Sequence, residues 1–141
     1  MMGNVVNLFL KPARKQPMLP VADVSAVEGG GLTGDVSFGS SKRQVLMVES
    51  EVLGRHALLP GSVRENITTS GIRLSGVPAG TRLRLGETVL EVTGDCTPCS
   101  FIDTLRPGLQ ERIAGERGLV ARVITSGTIR VGDPITIEDR S

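Results

Sequence analysis

Both cysteines of this 141-residue chain fall in one short run, Thr93-Gly94-Asp95-Cys96-Thr97-Pro98-Cys99. The run follows directly on an alternating apolar stretch, Val89-Leu90-Glu91-Val92, so the two thiols stand three residues apart at the mouth of an expected strand. The thiolate is the nucleophilic and metal-binding form of cysteine, and nearby positive charge, hydrogen bonds and exposure set how much of it is present. Gly94 and Pro98 bracket the segment as a turn, which puts Cys99 at the lip of a loop. A sulfur-based function runs through Cys99, Cys96 or both. The competing reading of such a pair is two small core hydrophobes without chemistry.

The second polar concentration is Pro60-Gly61-Ser62-Val63-Arg64-Glu65-Asn66-Ile67-Thr68-Thr69. Arg64 offers a forked donor suited to phosphate or carboxylate. Asn66 and Thr68 can each donate and accept hydrogen bonds. If Arg64 to Thr68 runs extended, Arg64, Asn66 and Thr68 share one face, and Glu65 and Ile67 the other. That face suits a polyoxygenated ligand; the alternative is a solvated edge strand. Arg117 either points into a site or complements the end of a helix that Gly118 stops.

Other signals are weaker. Gly29-Gly30-Gly31-Leu32-Thr33-Gly34-Asp35 could cradle an anion with bare amides. It does not match a phosphate-loop fingerprint, and no clear helix opens after it, so a flexible turn is the expectation. His56 is the only histidine. No nucleophile elbow accompanies it, and it reads as a surface helix residue. One C-x-x-C and a distant histidine fall short of the usual four zinc ligands.

The elements that must position these groups are short. Eighteen glycines separate runs rich in Val, Ile, Leu and Thr, the pattern of a mainly β barrel or sandwich. Expected strands are Val5 to Leu10, Val21 to Val27, Gln44 to Val48, Arg82 to Leu85, Val89 to Thr93, Val120 to Thr125 and Pro134 to Glu138. Gly86-Glu87 suggests a tight hairpin, and Ser126-Gly127 and Gly132-Asp133 mark further turns. Helix is sparse: Ser50 to Leu58 with Ser50 as N-cap, and Arg106 to Glu116 with Pro107 at its first position and Leu109 and Ile113 on one face. Lys11 to Pro20, with three prolines and three basic residues, reads as an irregular surface loop.

Composition narrows the partners. The length fits a single domain, 1–141, with a core that needs no staples. A net charge of +1 with interspersed signs argues against general nucleic-acid binding. Trp and Tyr are absent and Phe occurs three times, which removes a stacking platform for single strands. No apolar run approaches a membrane span, and Met1 to Leu10 lacks the features of a secretion leader. A cytoplasmic location follows as the expectation, with both thiols reduced apart from a transient bond.

In order and spacing, several motifs resemble the MOSC domain, the family named for the C-terminal domain of molybdenum-cofactor sulfurases. The matching pieces are Gly31-Leu32-Thr33-Gly34-Asp35, Arg43-Gln44-Val45, the Pro60 to Thr68 run, Gly80-Thr81-Arg82-Leu83-Arg84-Leu85-Gly86, Pro98-Cys99, Arg117-Gly118 and Gly127-Thr128-Ile129-Arg130-Val131-Gly132-Asp133, spanning about Gly29 to Ile137. The resemblance implies a MOSC-like β-barrel with a few short helices, of the small stand-alone bacterial type. It implies that Cys99 is the family's cysteine, which carries a persulfide sulfur or ligates molybdenum of the pterin cofactor. In amidoxime-reducing relatives a stretch like Arg64-Glu65-Asn66-Ile67 lies beside that cofactor. Those relatives carry an additional N-terminal portion, so cysteine chemistry is expected here before full cofactor enclosure. One departure stands out: where the family commonly reads G-x-x-G-D-x-H, Ser37 occupies the last position, and a hydroxyl does not replace imidazole as a proton shuttle near neutral pH.

Three functions follow as expectations. In the first, Cys99 is nucleophile or metal ligand of a sulfurtransferase or molybdenum-cofactor-dependent reductase, and Cys96 resolves the persulfide. Arg43, Arg64, Asn66, Thr68 and Arg117 hold an anionic pterin phosphate or another anion, and a sulfur-donor or acceptor protein is the partner. In the second, the same groups carry the molybdenum cofactor without turnover. In the third, Cys96 and Cys99 form a thioredoxin-type dithiol; against it, that motif opens a helix in an α/β fold, whereas Pro98 and Ser100 do not announce a helix.

Overall fold

The computed structural model describes residues 2–96 and 100–138. Alternation dictates the strands. In β7 (Arg82–Leu85), Leu83 and Leu85 are buried while Arg82 and Arg84 face solvent. The chain turns at Gly86, whose φ of +59° suits a residue without a side chain, and returns as β8 (Thr88–Asp95), pairing Leu85 with Thr88. Both this hairpin and β11 (Pro134–Glu138) lie where the sequence pattern put them.

Seven strands close into a barrel. Going round, β1 (Met2–Leu10) pairs with β6 (Ile67–Ser70), then β5 (Val45–Glu49), β9 (Leu119–Thr125), β8, β7 and β11, which pairs back to β1. The β5–β6 pair is parallel and the others in the ring are antiparallel, so the barrel is mixed. Closure removes the open sheet edges that invite wrong pairing. The far half of β1 also pairs with β2 (Leu19–Val21). A separate small sheet holds β10 (Gly127–Arg130), β3 (Asp23–Val27) and β4 (Gly31–Leu32).

Two apolar clusters hold this together. The barrel interior is filled by residues such as Leu8, Met47, Ile67, Leu83, Leu90 and Leu119. A second cluster forms where three short helices cover Val48 and Val63: α1 (Ser50–Arg55) contributes Val52 and Leu53, α2 (Ser100–Leu105) Ile102, and α3 (Leu109–Arg112) Leu109, with Ile113 just beyond it. Leu109 and Ile113 share a buried face, as their spacing implied.

Several expectations are corrected. The strand read over Val21 to Val27 is two strands in different sheets. β6 falls inside the polar run, and β4 and β10 emerge from glycine-containing segments read as turns. α1 stops at Arg55, because Ala57 adopts a left-handed φ of +53° and His56 becomes the C-cap. Glu49, not Ser50, is its N-cap, and it makes no side-chain capping bond. His56 is half-buried beside Glu116 rather than on the surface, with 3.6 Å between Nε2 and Oε1. The helix read over Arg106 to Glu116 shrinks to α3, with Gly108 at φ +82° as its N-cap in place of Pro107 as its first residue. A helix not expected from Pro98 and Ser100, α2, begins directly after the C-x-x-C segment, where Ile102 has an apolar cluster to bury against. A helix thus does follow the C-x-x-C run, as it would in a thioredoxin-type dithiol.

Gly118 does not stop a helix; it enters β9, pressed against β5. A Cβ there would collide with the Met47 carbonyl and the Val48 side chain, and its φ is +123°. Only glycine lets the chain carrying Arg117 approach this closely.

Candidate functional site

At one end of the barrel, the termini of several strands surround a cavity of about 640 Å³. Its wall holds Lys11, Arg14 and Lys15 from the loop after β1, Arg43 from the approach to β5, Arg64 from the approach to β6, and Arg117 from the approach to β9. Leu46, Phe101 and Cys96 complete the lining. No described lining residue is acidic. Six cations in one concave space make it strongly attractive to anions.

The backbone fixes this arrangement. Cys96 follows β8, and its amide donates to the Gly118 carbonyl at 2.8 Å, so the residues next to Cys96 and Arg117 are tied by β8–β9 pairing. Arg64 has a left-handed φ of +64°, as does Lys15. Such a conformation is costly for a residue with a Cβ and persists only where the surroundings enforce it. The enforcement at Arg64 is visible: its amide donates to the Gly61 carbonyl, and its Nη1 donates to the Gln16 carbonyl at 3.0 Å. That second bond ties the basic loop after β1 to the run before β6.

Arg117 is the most informative of the cations. It is 5% exposed. Its Nη2 donates to the Val63 carbonyl at 2.6 Å, which orients the guanidinium, while buried Nε and Nη1 have no hydrogen-bond partner among the described residues. Buried donors are normally paired, and leaving a charged one unpaired is costly. An anion in the cavity would supply the missing acceptor.

Lys11 is half-buried in the same wall. Burial pushes its amine below the ordinary value of 10.5, and the charges of Arg64 and Arg117 push it further, while Asp35 and Cys96 pull the other way. Asp35 is itself buried and committed: its carboxylate accepts the Lys11 amide at 2.7 Å, the Ser37 amide at 3.0 Å and the Asn66 side-chain amide at 2.9 Å.

Two residues read as ligands serve the fold. Asn66 Nδ2 spends both of its donors, on the Phe9 carbonyl and on Asp35, and its Oδ1 accepts the Leu46 amide. It has no donor left for an anion, although it borders a small adjoining space of about 100 Å³ with Ser37, Lys11 and Arg43. Thr68 is fully buried, and its hydroxyl donates to Glu65 Oε2 at 2.7 Å. Glu65 also accepts the Gly61 amide, stapling the loop. The alternation expected over Arg64 to Thr68 is broken by the left-handed turn at Arg64, and the strand starts only at Ile67.

Cys99 lies outside the described residues. On either side of it, Cys96 and Phe101 line the basic cavity. Cys96 is buried at 6% exposed. Sequence reasoning had singled out Arg43, Arg64, Arg117 and Cys96, which meet in this wall. It missed Lys11, Arg14 and Lys15, whose signal was three cations in a loop too irregular to be a strand. A second cleft of about 780 Å³ shares no lining residue with the first. Its Glu49 and Glu51 already accept bonds from Ser75 and from Ser70 and Gly71, and its Glu116 pairs with Arg55. Among the described residues no cluster of His, Cys, Asp and Glu could hold a metal ion. No helix among them is long and apolar enough to cross a membrane.

The MOSC domain family model matches residues 36–136. The chain belongs to the MOSC domain family. Its fold is shared with the YuaD protein from Bacillus subtilis, at a TM-score of 0.85 and 20% identity over 100% of this chain and 98% of that one. YiiM from Geobacillus stearothermophilus is similar at a TM-score of 0.76 and 21% identity, covering 99% of this chain and 76% of that one. YiiM from Escherichia coli is similar at 0.77 and 20% identity, over 100% and 71%. Comparison with curated protein sequences gives no match. This MOSC protein is thus a mixed barrel whose basic cavity is lined by Cys96 and Phe101 among its cations.

Proposed function

We propose that this MOSC protein handles sulfur or a molybdenum cofactor at the basic cavity, with Cys99 as persulfide carrier or metal ligand and Arg117, Arg64, Lys11 and Arg43 holding the anionic part of the ligand. The observation that carries the reading is the buried Arg117 guanidinium, whose Nε and Nη1 lack partners among the described residues, in a wall of cations that Cys96 also lines. A pterin phosphate fits that donor set, because phosphate oxygens accept from guanidinium forks and ammonium groups together. Bound there, the cofactor would supply a soft metal centre open to thiolate ligation.

The protein's own contribution is electrostatic. Cations around the cavity favour the thiolate over the thiol. In sulfur transfer, the Cys99 thiolate attacks the outer sulfur of a donor persulfide R–S–SH, forming Cys99–S–SH and releasing R–S⁻, which a cationic wall also stabilises. A carrier that holds the cofactor without turnover would use the same wall.

The test is intact-mass analysis after incubation with a persulfide donor, alongside metal analysis and pterin fluorescence of protein isolated anaerobically. The expected result is a gain of one sulfur atom on Cys99, or a metal and pterin that co-purify, with either lost in Cys99→Ser. Neither sulfur nor cofactor on the wild-type protein overturns the reading. Equal loss in Cys96→Ser and Cys99→Ser favours a dithiol mechanism instead.

A further inference from the structure

The most exposed large apolar side chain stands on a rigid support. Leu59 is 78% exposed, more than any other large apolar residue described. Its loop is pinned on both sides. After the left-handed Ala57, Leu58 turns inward, with its amide on the Leu53 carbonyl at 2.8 Å and its side chain against the helical cluster. The Leu59 carbonyl then accepts the Ser62 amide at 3.1 Å and the Ser62 hydroxyl at 2.6 Å. Main-chain bonds on either side of Leu59 thus hold its side chain out in water, although exposed apolar surface is unfavourable there.

Helix α2 adds two more such groups. Phe101 and Leu105 lie four apart on one helical face and are exposed, while Ile102 is buried. Arg106, directly after Leu105, donates from Nη1 to the His56 carbonyl at 2.6 Å and from Nη2 to the Ala57 carbonyl at 3.4 Å. These bonds fasten the end of α2 to the loop that carries Leu59. Asp103, the carboxylate on this helix, accepts the Gln110 amide at 2.8 Å. Cations flank the trio. Phe101 shares a wall with the exposed Arg14 and Lys15. Their loop is tied by the Gln16 carbonyl to Arg64 Nη1 at 3.0 Å, in the run that follows Leu59.

We propose that this face rests on an anionic lipid surface, with Leu59, Phe101 and Leu105 in the headgroup layer and Arg14 and Lys15 on lipid phosphates. Exposed apolar tips beside cations are what a peripheral contact needs. The apolar groups leave water and the cations meet the negative leaflet, without any segment crossing it. A second protein fits this face less well. Three partly covered side chains fall well short of the roughly 800 Å² per partner that a stable protein interface takes, whereas a fluid layer closes around separate protrusions. The contact lies outside the cavity and does not depend on what the cavity holds.

Co-sedimentation of the full chain with vesicles of phosphatidylcholine alone, and with about 30% phosphatidylglycerol added, tests this. The expected result is at least about tenfold stronger binding to the anionic vesicles, weakening as salt is raised. The double variant Leu59→Ser/Leu105→Ser lowers that binding about tenfold. Arg14→Ala/Lys15→Ala also lowers it and flattens the salt dependence. All four side chains are exposed, so both variants melt close to the wild type. Polyglutamate beads supply an acidic macromolecule without a lipid layer. No binding to anionic vesicles overturns the inference. Binding that ignores the Leu59→Ser/Leu105→Ser change also overturns it, since charge attraction alone then suffices. Retention on polyglutamate as strong as on the vesicles overturns it too, and assigns the face to an acidic protein. None of these outcomes bears on sulfur or cofactor loading at Cys99, whose test is separate.

Discussion

Asn66 is the residue at which sequence and structure assign opposite jobs, so Asn66→Ala separates them. The side chain makes three hydrogen bonds: from the Leu46 amide at 2.9 Å, to the Phe9 carbonyl at 3.2 Å and to Asp35 at 2.9 Å. Truncation strands two main-chain groups, at about 1–2 kcal/mol each, and takes a bond from a buried carboxylate, about 1.5–3 kcal/mol more. Asp35 keeps the Lys11 and Ser37 amides, which softens its share. The expected loss is therefore about 4 kcal/mol. For a chain of this size that lowers the melting temperature by about 10–15 °C. Urea unfolding and thermal melts measure the loss, and phosphate titration well below the melting point measures binding by the folded variant. The expected outcome is a large stability loss with phosphate affinity within about twofold of wild type, since both Asn66 donors are spent within the protein. A stability loss under about 1 kcal/mol, or phosphate affinity that collapses while stability holds, would refute it.

Other outcomes follow from the same geometry. Gly118→Ala loses about 3 kcal/mol or more in urea unfolding, because the new Cβ meets the Met47 carbonyl and φ is left-handed. Stability rises as pH is raised toward 10.5: the unfolded chain holds the Lys11 proton more tightly than the folded one, so the penalty for burying that charge is present below the folded value and gone above the unfolded one. Lys11→Met removes this rise, read from urea midpoints between neutral pH and the ordinary lysine value. Phosphate affinity falls over the same window in the wild type, as Lys11 loses its charge before an ordinary lysine would. Cys96→Ser is milder than Cys99→Ser in any sulfur-loading assay scored by intact mass.

The fold was legible where one face of a strand is buried and the other wet. β7 and the start of β11 show it: Leu83, Leu85 and Ile135 are buried while Arg82, Arg84 and Pro134 are exposed. β6 was missed because Ile67-Thr68-Thr69 is buried on both faces, with two hydroxyls inside, so no alternation marks it. α2 was missed because six residues give less than two turns of periodicity; its single deep anchor, Ile102, is buried in a cluster with Val48, Val52 and Val63, residues distant in sequence.

The site was legible in part, and the boundary has a physical cause. Arg64, Asn66 and Thr68 look alike as polar side chains in a run, but one left-handed residue sends the first into a cavity and the others into the protein. Periodicity carries no sign of that turn, since φ is positive at a residue with no conformational reason of its own to adopt it. The reason is tertiary: Glu65 draws in the Gly61 amide and the Thr68 hydroxyl, and Gln16 holds the displaced guanidinium. The same Gln16 bond draws in the loop after β1, whose prolines and lysine–arginine content read as solvated surface. The acidic staple at Glu65 and the basic wall are thus joined through the Gly61 to Thr68 loop, which Glu65 braces on one side and from which Arg64 reaches the cavity on the other. Substituting Glu65 should therefore disturb anion binding through Arg64 without touching the ligand, an effect that Arg64→Ala in the same background would not add to, because both changes remove the same guanidinium from the same wall.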